Sequence, residues 1–196
     1  MKEIQEIELK IKDENEDGVF AVSLVENGAI EEDYKVLLSK QEIQLKILNE
    51  EKRLVVGFAL IPEKRIYRKV KDKEFNIFFT AETVSKTQEL FMKKMNLNKF
   101  TTEHDKEVTG VSVIESWIVE DPKNDKSNMY ELGAKGGEWV LMSKIYNDEV
   151  WEQVKAGTFK GYSIEGMFDG FQDLDMAEVK EDDETTKAIK ELLKTL

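Results

Sequence analysis

Cysteine is absent from the 196-residue chain, which removes disulfides, thiolate zinc sites and cysteine nucleophiles together. Histidine occurs once, at His104, so the only metal chemistry left is a carboxylate-rich Ca²⁺ or Mg²⁺ site. The stretch "DENEDG" has the composition of a calcium loop but lacks the glutamate at its twelfth position, and fits a solvated turn; no metal and no cofactor is expected. Neither G-x-G-x-x-G nor G-x-x-x-x-G-K-[ST] is present, so nucleotide binding has no support. Positive charge is short as well. The net charge of -12 argues against a nucleic-acid partner, because binding phosphates needs clustered Lys and Arg. No apolar run approaches the roughly 20 residues that span a bilayer. The N-terminal residues lack a signal-peptide core, so a cytosolic protein with no membrane partner is expected. Only Pro62 and Pro122 force a break in the backbone.

What is present reads mostly as strands. "EIQEIELKIK" places Ile4, Ile7, Leu9 and Ile11 partly at a spacing of two. "VFAVSLV" (19–25) is rich in β-branched residues, and "LVVGFALIP" (54–62) is a nearly continuous apolar run that Pro62 ends. "FNIFF", "VSVIESWIVE" (111–120), "EWVLMSKIY" and "TFKGYSIEGMF" complete the strand set, while "NKFTTEHDKEVTG" and "DPKNDKSNMYELGAKGG" read as loops. Thr80 can cap a helix over 83–95 with Val84, Leu90, Phe91 and Met95 on one stripe, and "NDEVWEQVKAG" predicts a short helix with an Asn or Asp cap and a glycine stop. The fold class is α+β, mostly β: a barrel or curled sheet with flanking helices. One domain is expected over 1–170, followed by an acidic tail (171–196) with a terminal helix carrying Ile189, Leu192 and Leu193. The tryptophans Trp117, Trp139 and Trp151 are expected to pack in the core.

Few residues could carry chemistry. His104 is a candidate general base, since an imidazole titrates near neutral pH and can accept a hydroxyl proton. Ser163 sits in "GYSIEG" between Gly161 and Gly166, where backbone or substrate can approach closely and exposed N–H groups could bind an oxyanion. Carboxylates are plentiful. Glu165 follows Ser163 on the same face of a strand, its Cβ about 6–7 Å away by strand rise. Glu115 lies inside an otherwise apolar strand, where a carboxylate is expensive to bury unless paired. Asp105 adjoins His104 in sequence, a poor geometry for holding its ring.

Several stretches taken together resemble the XkdF-type serine proteases of tailed phages and prophages, relatives of the prohead (capsid maturation) proteases. They include "VVGFALIPEKRIYR" (55–68), "TEHDKEVTGVSVIESWIVEDPKNDKS" (102–127) and "GGEWVLMSKIYNDEVWEQVKAGTFKGYSIEG" (136–166), within a span of roughly 19 to 170. The resemblance implies a Ser–His endopeptidase on a herpesvirus-assemblin-like β-barrel, with Ser163 as nucleophile and His104 as base. It implies phage scaffold and major capsid proteins as partners, self-association, and a location in the host cytoplasm inside the assembling procapsid. In the broader group a carboxylate precedes an "xSVV…PA"-like strand that follows the serine. The similar string here, "AVSLVENGAI", stands near the N-terminus, as in a circularly permuted barrel, with Ala21 at the carboxylate position and Gly28 at the proline. That leaves a Ser–His dyad, a Glu115 that orients His104, or an inactive chain, and of the carboxylates Glu115 is the one chosen for the orienting role. A catalytically silent relative serving as a scaffolding or capsid-associated structural protein is the alternative.

Overall fold

The computed structural model describes residues 4–26, 45–70 and 73–170. The acidic tail (171–196), for which a terminal helix is expected, Gly28 and the segment around 27–44 lie outside them. Strands dominate: β1 (Gln5–Leu9), β2 (Gly18–Val25), β3 (Lys46–Asn49), β4 (Leu54–Leu60), β5 (Ile66–Val70), β6 (Lys73–Phe79), β7 (Phe100–Thr102), β8 (Lys106–Val108), β9 (Val111–Ile118), β10 (Trp139–Ile145) and β11 (Gly161–Met167). Three helices join them: α1 (Ala81–Lys93), α2 (Lys126–Met129) and α3 (Asp148–Lys155).

The strands form three sheets, ordered β1-β6-β5, β3-β4-β10-β9 and β11-β2-β7-β8. The α+β, mostly-β class therefore stands, but among the described residues no barrel closes. Closure needs the two edge strands of one sheet to hydrogen-bond to each other. Here the largest sheets have four strands each. Sequence-distant pieces are brought together instead. In the last sheet β2 runs parallel to β7 and antiparallel to β11, so a strand from the first 25 residues becomes the centre of a layer completed near residue 167.

The core follows from period-two patterning. In β10, Trp139, Leu141 and Ile145 enter the main core while Val140 and Met142 face a smaller cluster with Val56 and Phe58 of β4. Both faces of this sheet are thus covered, which explains the unbroken apolar runs. The stretch 121–137 is more than a polar loop. Asp125 caps α2, and Tyr130, Leu132 and Ala134 lie over the outer face of the sheet. Trp139 and Trp151 are buried, and Trp139 donates its indole N–H to Ser116 Oγ at 2.9 Å. Phe91 of α1 meets Trp139 edge-on at 5.2 Å between centroids.

Thr80 caps α1 by accepting the Thr83 N–H, and Asn147 caps α3 by accepting the Val150 N–H, as the sequence predicts. Met95 leaves the expected stripe. The helix ends at Lys93, Met95 has φ +56° and its side chain is 80% exposed.

Gly166 marks a register shift between β11 and β2. A Cβ there would lie 2.8 Å from the Gly18 carbonyl oxygen and 2.9 Å from the Phe168 ring. Gly166→Ala is therefore expected to destabilise the protein by about 1–3 kcal/mol, the usual range for an overpacked site, as a lowered urea midpoint with unchanged slope.

Candidate active site

The site grows from the sheet β11-β2-β7-β8. Alternation along β11 sends Tyr162 and Ile164 into the main core and leaves Ser163 and Glu165 on the other face. Ser163 is the register partner of Ser23 in β2, and Ser23 is the register partner of Thr101 in β7. Residues directly opposite one another in a sheet share a face. Three hydroxyl side chains therefore lie abreast across three strands, with Glu165 one step along. This polar row is covered: Ser23, Ser163 and Glu165 are 0%, 3% and 8% exposed.

His104 reaches the row from the turn between β7 and β8. That segment reads as a loop in the sequence but is a hairpin, pairing Phe100 with Val108, Thr101 with Glu107 and Thr102 with Lys106. The Asp105 N–H donates to the Thr102 carbonyl at 3.1 Å, closing a tight turn whose central residues Glu103 and His104 have φ of +50° and +56°. Residues other than glycine, asparagine, aspartate and histidine rarely adopt such angles, and a non-glycine residue held there costs about 1–3 kcal/mol unless its surroundings enforce it. The enforcement comes from β2. Its Leu24 carbonyl accepts the Glu103 N–H at 3.0 Å, and Ser23 Oγ accepts the His104 N–H at 3.0 Å. Glu103 in turn accepts the Glu26 N–H with its carboxylate at 2.5 Å.

The imidazole then meets Glu165. His104 Nδ1 lies 3.2 Å from Glu165 Oε1, and the Thr101 hydroxyl donates to the same oxygen. Burial pushes the Glu165 carboxyl up, but the bonds from His104 and Thr101, with the charge of a protonated imidazole, outweigh it and hold the carboxyl below its ordinary value. An ionised carboxylate only accepts, so Nδ1–H is the donor in this contact; in the neutral imidazole Nε2 then keeps the lone pair that a general base requires.

The lowered Glu165 value fixes the sign of a pH effect. A carboxyl with a folded pKa below its unfolded one stabilises the fold fully above the unfolded value and loses that contribution as pH falls through the folded one. Thermal unfolding should show melting temperature beginning to fall as pH drops through about 4.5, the ordinary value, and continuing downwards. Glu165→Gln should flatten that acid limb; an unchanged limb would show that Glu165 is not the group responsible.

Glu115 is placed elsewhere. It stands on β9 in the β3-β4-β10-β9 sheet, its carboxylate paired with Lys126, whose ammonium also sits 3.8 Å over the Trp117 ring. Its side chain is 42% exposed. The structure thus gathers Ser163, His104 and Glu165 on one sheet and leaves Glu115 on another. Ser23 and Thr101 were not foreseen from the sequence. Their only signal is a hydroxyl inside the short runs "AVSLV" and "KFTTEH".

Comparison with known proteins gives the chain's family. Residues 40–172 match a family model described as "Putative phage serine protease XkdF". That span contains His104, Ser163 and Glu165 and leaves β1 and β2 outside. The chain is 32% identical over 138 residues to the phage-like element PBSX protein XkdF of Bacillus subtilis (strain 168), covering 68% of this chain and 44% of that protein. It is 28% identical over 152 residues to the protein YqbD of the same strain, covering 74% of this chain and 43% of that protein. The chain thus spans less than half the length of these relatives. No solved structure matches it. No helix among the described residues is long and apolar enough to cross a membrane.

Proposed function

Because the chain belongs to the XkdF family, we propose that it is a serine endopeptidase with Ser163 as nucleophile, His104 as general base and Glu165 as the carboxylate that orients the imidazole. The single observation that carries this reading is the contact of His104 Nδ1 with Glu165 Oε1 at 3.2 Å, on the sheet face that also holds Ser163. With Nδ1 engaged, Nε2 is the nitrogen left to serve the Ser163 hydroxyl. Nε2 takes that proton as Oγ bonds to the peptide carbonyl carbon, and backbone N–H groups bind the oxyanion. The imidazolium, steadied by ionised Glu165, then protonates the leaving amine as the C–N bond breaks. Water, deprotonated by His104, releases the acyl group and restores Ser163.

Glu165 rather than Glu115 takes the orienting role in this reading. Support comes from register: Glu165 is the cross-strand partner of Ala21, the position at which the resemblance expects a carboxylate. A strand that lacks the acid would receive it from its neighbour. The seating of β2 beside β11 likewise supports the permuted, assemblin-related arrangement. Scaffold and capsid proteins of an assembling phage head are the substrates this reading implies.

One observation favours the second reading, a catalytically silent structural relative: Ser163 is only 3% exposed, and a peptide needs a route to it. A fluorophosphonate probe separates the two. The peptidase reading expects covalent labelling of the intact protein, located at Ser163 by mass spectrometry and absent from Ser163→Ala. A wild-type protein that stays unlabelled at millimolar probe, while folded, leaves the structural reading standing.

A further inference from the structure

We propose that Ser23 is a positioning residue of this site: its hydroxyl accepts the backbone N–H of His104 and so fixes where the imidazole starts from. The catalytic consequence rests on the peptidase reading above; the positioning itself does not.

The argument begins with the turn. Glu103 and His104 both hold positive φ, a conformation uncommon outside glycine, and Glu103 is not among the residue types enriched there. An N–H at the tip of a hairpin normally points to water, and a turn with this strain would relax unless held. The His104 N–H instead points to Ser23 Oγ at 3.0 Å. Ser23 is fully buried in the centre of the sheet, between the strand of Ser163 and the strand of Thr101. A central strand is the most rigid mount the layer offers. The same residue is also the register partner of Ser163. One side chain thus references the backbone of the base to the strand that lies against the nucleophile. Glu165 fixes the ring at Nδ1 and Ser23 fixes the backbone at N, leaving the side-chain torsions of His104 little freedom between two anchors. The matched family span begins at residue 40, beyond Ser23.

A buried hydroxyl seeks a partner for its own satisfaction, and a purely structural serine would do the same. The two roles part on what moves when the hydroxyl goes. His104 is the only histidine, so histidine-selective ¹⁵N labelling gives one imidazole and one histidine amide to follow. In the wild-type protein the His104 amide should exchange slowly with deuterium and the imidazole should be protonated at Nδ1. In Ser23→Ala the amide should exchange far faster and the single tautomer should give way to a mixture. Fluorophosphonate labelling should slow by about a hundredfold, the scale of loss for a displacement of about 1 Å at a reacting group. Ser23→Thr, which keeps the hydroxyl, should restore protection, tautomer and labelling. Ser23 is fully buried, so the urea midpoints of both variants should fall, and the comparisons are made well below the transition, where both stay folded.

A fast-exchanging His104 amide in the wild type would overturn the proposal before any variant is made. So would a Ser23→Ala protein that keeps its amide protection and Nδ1 tautomer. Failure of the peptidase reading looks different: the wild type does not label, while the amide and imidazole signals still respond to Ser23→Ala.

Discussion

The double variant His104→Ala with Ser163→Ala is expected to hydrolyse a p-nitrophenyl ester no more slowly than Ser163→Ala alone. Each single variant should lose on the order of 10⁴–10⁶ in rate, because a nucleophile without its base and a base without its nucleophile are equally disabled. Groups that act as one device lose its effect once, so the two losses do not multiply. An activated ester is the right substrate because its leaving group needs no protonation, so the readout isolates attack by Oγ. Stability gives the control. The His104 side chain is 20% exposed, and its removal leaves Glu165 the Thr101 hydroxyl, so urea unfolding should change little. Two outcomes would end the Ser–His assignment. One is a His104→Ala enzyme at wild-type rate. The other is a double variant slower than either single by the product of their losses, which describes two independent sites.

How far the sequence foretold this site depends on what kind of signal each residue carries. β4, β10, α1 and α3 are legible because their patterns run long enough to fix a period and their ends carry caps or a proline. The strand β5, "IYRKV", was not foreseen, since its alternation is broken by charged residues and its partner β6 supplies the order. The β7-β8 hairpin reads as a loop in the sequence for two reasons. Its strands have three residues each, and its turn holds positive φ at Glu103 and His104 without the glycine or asparagine that announces one. That strain is imposed from β2, some 80 residues earlier in sequence, and no local pattern records it. The carboxylate shows the same limit. Glu115 and Glu165 are both acids inside largely apolar strands, and alternation gives the parity of each but not what covers its face. Tertiary packing leaves Glu115 beside Lys126 and solvent, and puts Glu165 under His104 and Thr101.

The contrast between those two acids gives the other large effect. Glu165→Gln is expected to lower ester hydrolysis by on the order of 10³–10⁴. The substitution conserves shape. A glutamine oxygen at the Oε1 position can still accept from both Thr101 and Nδ1, so the ring keeps its seat and the protein its fold. What goes is the negative charge beside an imidazole that must become positive as Ser163 gives up its proton. In a covered pocket that charge is poorly replaced by solvent, so the loss should fall on kcat with KM nearly unchanged. Thr101→Val should act in the same direction but less, since it removes a bond to the carboxylate and leaves the charge in place. Glu115→Gln gives the opposite expectation. Its partner Lys126 is only half-buried, and a solvent-screened pair of that kind contributes at most about 1 kcal/mol to stability and nothing to a reaction on another sheet, so the rate should stay within about twofold. A slow Glu115→Gln beside a fast Glu165→Gln would reverse the assignment. Two fast variants, with His104→Ala still slow, would reduce the device to a dyad in which the 3.2 Å contact of Nδ1 with Oε1 only holds the hairpin in place.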